Sequence, residues 1–268
     1  MKFKIIFILF NIVVVFSFLI VTLMPFFMLG GEYSIQFFKD SWYIFLIFLL
    51  TIGLIDSYFF LNWKLFSLLE TENWDDLIVY LENRIFVKKN IYVHLLKILA
   101  NTYLIKTNID GISKLEDFLR QERPGLIKKL IIPLSVPRFI NGDPGNMEDY
   151  FKEFISLKKV PRINWVKFLY AFSLLLNNKR DAASDTLLEL CKIKISPILR
   201  LLVIYSLNPF FEIAKNDKFV CIESNKKELK SKFSREKMNL ELERVNDTVL
   251  ALVLNKFSKE AIEWLYKE

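Results

Sequence analysis

The stretch NWDDLIVYLENRIFVKKNIYVHLLKILANTYLIKTNIDGISKLEDFL, residues 73–119, contains an echo of itself. Asp76 is followed 34 residues later by Asp110, and the same interval pairs Leu81 with Leu115, Glu82 with Glu116 and Ile85 with Leu119. Leu77 falls on Gly111, a small residue at the same phase. A fixed period of this size is the signature of stacked helix–turn–helix units. Outward from it, the chain reads as two parts: a device that ties such a stack to a membrane, and further, more degenerate copies of the unit.

The chain has 268 residues, of which 53% are hydrophobic and 26 are Phe. Globular domains average about 45–50% apolar, and the excess here lies before Trp63. Residues 1–63 hold three bases (Lys2, Lys4, Lys39) and three acids (Glu32, Asp40, Asp56), so the net charge of +7 belongs entirely to residues 64–268. Seven Gly and 8 Pro are too few for a collagen-like or linker-rich chain. Cys191 and Cys221 lack CxxC spacing. With one His beside them they supply too few ligands for a zinc site, and they read as two buried, reduced thiols.

Residues 5–29 carry no charge. At about 1.5 Å per residue this run exceeds a hydrocarbon core of about 30 Å. It is also too long for a cleaved leader, and no small-x-small site follows it. Residues 30–41 (GGEYSIQFFKDS) read as a polar turn, and 42–62 as a second span bounded by Trp42, Tyr43, Tyr58 and Trp63. The domains expected are therefore 1–63, a transmembrane hairpin, and 64–268, a helical repeat domain. Lys2, Lys4 and Lys64 flank the spans on one side and Lys39 alone lies in the loop. This bias predicts a multi-pass protein of the cytoplasmic (inner) membrane with both termini in the cytoplasm. Asp56 is the one charge within a span; local pairing with Lys64, Lys2 or Lys4 is the reading favoured over an ion or proton pathway.

From Trp63 the pattern is amphipathic. WKLFSLLE continues the second span, and Asn73 caps a helix that has Asp75 and Asp76 in its first turn. Pro133 and Pro137 make the segment around them short, kinked or broken, and NGDPGN (141–146) is the strongest turn signal in the chain. These helices resemble tetratricopeptide repeats (TPR). Leu96, Leu99, Ala100 and Tyr103 fit the first part of that pattern, followed by Gly111, Leu115, Phe118 and Pro124. A later copy has Trp165, Phe168 and Phe172, then Ala183, Leu187 and Pro197, and Ala261-x3-Leu265 returns near the C-terminus. Leu169 departs from the family's small residue, and the spacing drifts by one or two residues. The resemblance implies an all-α fold, an α-solenoid behind the hairpin, whose concave surface binds protein segments. Similar membrane-anchored TPR proteins serve in flagellar-motor collars and envelope biogenesis.

No motif carries catalysis. There is no phosphate-binding Gly-rich loop, the sole histidine, His94, reads as a packed or capping imidazole, and no catalytic, metal-binding or cofactor-binding residue is assigned. The function expected is a non-enzymatic scaffold or adaptor without cofactors. Its partners are proteins and the membrane, not nucleic acid, since +7 over this length is mild. KKELKSKFSREK (226–237) holds Lys226, Lys227, Lys230, Lys232, Arg235 and Lys237, a solvated segment or a contact for anionic headgroups. The alternative is a transport-associated membrane subunit using Asp56 within the bilayer. Two spans alone make no pathway, so that role requires an assembly such as a homo-oligomer.

Overall fold

A left-handed residue recurs along the chain just before four helices. Glu72, Thr107, Gly142 and Asn178 all have φ between 51° and 65°, at intervals of 35, 35 and 36 residues. At Glu72, Thr107 and Asn178 the next amide donates to the carbonyl five residues back: Asn73 to Leu68, Asn108 to Tyr103 and Lys179 to Leu174. That bond closes the preceding helix in a Schellman-type turn. The residue after the turn then caps the next helix. Asn73, Asn108 and Asp143 accept from the amides of Asp76, Gly111 and Asn146, each satisfying one donor left over at a helix start.

The computed structural model describes residues 3–210, 217–244 and 248–267. Among these residues every regular element is helical and there is no strand. They form two compact units, Met1–Asn83 and Arg84–Glu268. The first contains α1 (Phe3–Leu29), α2 (Gly31–Leu61), α3 (Trp63–Glu70) and α4 (Trp74–Glu82). α1 packs on α2, with Phe18 stacked on Phe48 at 4.3 Å and Phe7 against Phe59 at 5.2 Å. Two stretches, Ile5–Met24 and Ile35–Leu61, are long and apolar enough to cross a membrane, and none of their most apolar window is buried.

The expected polar turn over residues 30–41 is not there. α2 begins at Gly31, and Gly30 alone, at φ 77°, reverses the chain. Only a residue without Cβ adopts that φ readily. The polar side chains after it, including Lys39 and Asp40, are compatible with a helix whose amides need the same i→i−4 bonds in any solvent. Asn62 interrupts the helix for one residue and α3 follows at once, with Phe66 donating to the Asn62 carbonyl. α3 packs on α4.

The second unit contains α5 (Val93–Ile105), α6 (Ile109–Glu122), α7 (Ile131–Asn141), α8 (Pro144–Ile155), α9 (Ile163–Leu176), α10 (Arg180–Cys191), α11 (Pro197–Leu207), α12 (Asp217–Lys232), α13 (Arg235–Arg244) and α14 (Thr248–Tyr266). From α5 to α12 each helix packs on its neighbour in sequence. The apolar echo residues are core: Leu77, Leu81, Ile85, Leu115 and Leu119 are fully buried, while Asp76 and Asp110 are exposed. Gly111 is small for a reason, because a Cβ there would lie 2.6 Å from the ring of buried Tyr103. Pro133 falls in the first turn of α7, where its missing N–H costs nothing. Pro137 lies inside the helix, which runs for only 11 residues. α14 does not add another layer at the end of the series. Besides α13 before it, it packs back on α5, α7 and α11, with Leu254, Ser258, Ala261, Ile262 and Leu265 buried along one face.

Candidate functional site

The ends of α5, α7 and α9 leave an apolar cavity of about 510 Å³. Leu104 comes from α5, Val136, Phe139 and Ile140 from α7, and Phe172 and Leu176 from α9. Ile140 and Leu176 stand at its rim, 55% and 47% exposed. The aromatic wall continues beyond it. Phe139 lies 6.5 Å from Phe172, Phe172 lies 5.6 Å from Phe257 of α14, and Phe257 lies 5.0 Å from Tyr205. Among the described residues the lining holds no charged side chain, and its one hydroxyl is that of Thr107. A lining of this kind suits apolar groups.

Two buried carboxylates fix the helices around this cavity. Glu116 of α6 accepts from Arg120 Nε at 2.9 Å and from Arg138 Nη1 and Nη2 of α7 at 2.8 and 3.0 Å. Arg120 also forks onto Glu153 of α8. Arg138 lies 4.0 Å above the Tyr150 ring, and the Tyr150 hydroxyl donates to the Ile131 carbonyl. Burial pushes that phenol well above its ordinary range, so it stays a donor. Glu148 of α8 accepts from Lys179 at 2.7 Å and from Asn177 Nδ2 at 2.7 Å. The Lys179 bond, foremost, holds this carboxyl below the usual carboxylate range against its own desolvation.

The residues singled out by sequence are dispersed. Lys226, Lys227 and Lys230 of α12 share a cleft of about 640 Å³ with Lys267 and Glu223. Lys226 is drawn over the Trp264 ring at 4.6 Å, and Lys232 pairs with Glu228 at 2.6 Å. Arg235 and Lys237 are exposed on α13, beyond a break at 233–234. Asp56 lies on α2 with one oxygen shielded and without a hydrogen-bond partner among the described residues. Lys64, its expected partner, lies over the Tyr80 ring at 5.5 Å. The other two named partners, Lys2 and the Lys4 side chain, fall outside the described residues.

Two expectations are corrected. Cys191 and Cys221 are joined in a disulfide that ties α10 to α12, with Cα atoms 6.5 Å apart; the packing of α12 on α10 juxtaposes thiols that a spacing of 30 residues does not connect. His94 is exposed in the first turn of α5, stacked on Tyr92, not packed in a core. The cavity itself had one visible signal, Phe172. Ile140 and Leu176 read as ordinary apolar positions, and only the packing exposes them.

The chain is similar to an uncharacterized protein of Treponema pallidum (strain Nichols), with 26% identity over 164 residues. The match covers 61% of this chain and 52% of the relative, so the chain spans about half the length of the protein it matches. No solved structure matches. A family profile matches residues 111–267, from the first turn of α6 through α14, and takes in both carboxylate networks, both cysteines and most of the cavity lining, Leu104, Thr107 and Ile109 lying before it. The chain belongs to the family described as "Uncharacterised Treponema protein".

Proposed function

We propose that this protein is a non-enzymatic, membrane-anchored scaffold or adaptor. In this reading α1 and α2 are a transmembrane hairpin with both termini in the cytoplasm. The helices after it are degenerate TPR-like pairs of an α-solenoid that holds protein partners in an inner-membrane assembly, such as a flagellar-motor collar or an envelope-biogenesis machine. The observation that carries the reading is the pairing of two features in one chain. One is a pair of long apolar helices with no buried window. The other is a helix series with a repeated turn and an apolar cavity open at its rim. The occupant that suits the cavity is a partner segment bearing one or two large apolar side chains.

The test is photo-crosslinking from Ile140 and Leu176 in native membranes, followed by identification of the captured protein. Ile140→Glu and Leu176→Glu change exposed side chains, so they should abolish capture and leave the melting temperature within about 2 °C of wild type. Capture that survives both changes would remove the cavity from the proposal. The transport-associated alternative rests on the unpartnered oxygen of Asp56. Loss of a transport phenotype in Asp56→Asn, with assembly intact, would favour it.

A further inference from the structure

A second cleft, of about 260 Å³, opens between α5, the 3-10 turn Pro124–Lys129 and the loop that enters α9. We propose that it binds a phosphate group, carried by a free phosphorylated small molecule or by a phospholipid headgroup. Lys97 and Asn101 lie one turn apart on α5, Lys128 and Lys129 end the 3-10 turn, and Arg162 immediately precedes α9. Among the described residues no lining side chain is acidic. Lys97, Lys128 and Lys129 make no ion pair among the described residues. Arg120, Arg138, Lys179 and Arg200 of the same unit each have a carboxylate partner. Cations gathered in one concavity repel one another, and a bound anion reverses the sign of that term.

The ligand class follows from size and lining. A phosphomonoester brings a charge of about −1.5 to −2 and three acceptor oxygens, enough to engage several ammonium groups at once. A single carboxylate has half that charge. The cavity falls below the roughly 300 Å³ at which drug-sized sites begin, which suits a headgroup or a phosphorylated small molecule better than a folded peptide segment. Among the described residues no aromatic ring lines it, which gives a nucleobase no stacking surface there. Pro133 and Pro161 form part of the wall, and their fixed φ angles stiffen it. The α12 cleft is the weaker candidate, because Glu223 lines it and Lys226 is engaged with Trp264.

The experiment uses the full chain in phosphatidylcholine nanodiscs. Inorganic phosphate is titrated at constant ionic strength and followed by calorimetry. Wild type should show saturable binding. Lys97→Gln/Lys128→Gln/Lys129→Gln should weaken it about tenfold or more, the equivalent of one lost charge-assisted bond. Lys226→Gln/Lys227→Gln/Lys230→Gln removes the same charge and should leave it unchanged. A second arm compares acetylation of Lys97, Lys128 and Lys129 in discs with and without phosphatidic acid, whose headgroup is a phosphomonoester. Phosphate binding with unchanged acetylation assigns a soluble ligand. Protection by phosphatidic acid alone assigns a headgroup. Equal effects of the two triple variants would mean diffuse charge and overturn the site, as would neither binding nor protection.

Discussion

Removing Glu116 tests whether the ion network holds α6, α7 and α8 together. The side chain is 7% exposed and receives three charge-assisted bonds, one from Arg120 and two from Arg138. Glu116→Ala leaves the Arg138 guanidinium, 18% exposed, without its carboxylate. Breaking a fully buried pair from one side costs about 3–5 kcal/mol. Two features put this case at the low end. Arg138 retains its bonds to Asn146 and to the Leu134 carbonyl, and Arg120 retains Glu153. A loss of about 3 kcal/mol is therefore expected, which at about 2–4 °C per kcal/mol lowers the melting temperature by about 6–12 °C. The assay is urea unfolding and thermal melting of the full chain in detergent, followed by circular dichroism. The companion variant, Glu116→Leu/Arg138→Met, removes both charges. It should recover most of the loss, because an apolar pair in place of a buried ion pair is often neutral. The reasoning fails if Glu116→Ala lies within about 0.5 kcal/mol of wild type, or if the double variant is no more stable than the single one.

Three further outcomes follow from the packing. Gly111→Ala sets a methyl 2.6 Å from the Tyr103 ring; overpacking of about 1–3 kcal/mol should exceed the helix-propensity gain of about 1 kcal/mol, and the penalty measured by urea unfolding should shrink in a Tyr103→Leu background. Glu148 has a depressed pKa in the folded chain, so the unfolded state binds more protons in acid and the stability from its Lys179 bond is present above the ordinary carboxylate range and lost as pH falls through the depressed value. Melting of wild type and Lys179→Met should thus differ by a constant amount near neutrality and draw together as pH falls below the ordinary carboxylate range. Leu81→Ala and Leu115→Ala, at fully buried echo positions, should each cost about 2–5 kcal/mol in the same unfolding assay.

Local chemistry was readable in the sequence, and long-range placement was not. Asn73 announces its helix because a short polar side chain outside an apolar series has one common use, and Asn108 and Asp143 turn out to be used the same way. The left-handed conformation at Glu72 and Thr107 was hidden, since those residue types rarely advertise a positive φ; Asn178 and Gly142 match the usual preference. The 34-residue echo located the core phase at Leu81 and Leu115, yet the turns themselves recur at 35 and 36. One residue of drift is invisible when the matching uses a few apolar positions. The apolar character of 5–29 and 42–62 was plain, but the helical state of the residues just after Gly30 was not, because polar side chains suit a loop and a helix surface equally well. Nothing local says that α14 returns to α5, α7 and α11. Its Ala261-x3-Leu265 face is the same whether it meets a preceding helix pair or an earlier one. Beyond Phe172 the cavity was unreadable for the same kind of reason: its lining is gathered from the ends of α5, α7 and α9, which only the packing brings together.

The Cys191–Cys221 bond bears on the compartment. Lysines around the two apolar helices favour a cytoplasmic helical unit, whereas disulfides persist mainly in oxidising compartments. The two arguments differ in kind. The lysine bias concerns insertion and rests on four residues, Lys2, Lys4, Lys39 and Lys64. The disulfide concerns the folded unit, and its two cysteines meet in any compartment because α12 packs on α10. Packing supplies proximity, and the redox poise decides whether the bond forms. A link across 30 residues is worth about 3.6 kcal/mol in the chain-entropy description, so the two placements predict chains of different stability in the cell. In the cytoplasmic placement, acid-quenched cells should yield both thiols free to react with a maleimide, a cytoplasmic reporter fused after Glu268 should be active, and oxidation of the purified chain should raise its melting temperature by about 7–14 °C. In the opposite placement the thiols are protected at the quench and the reporter is silent. Protected thiols in cells where the cytoplasmic reporter is active would refute the use of this bond as a marker of compartment. The bond would then be maintained against a reducing poise, and the tie between α10 and α12 would itself be what the cell oxidises.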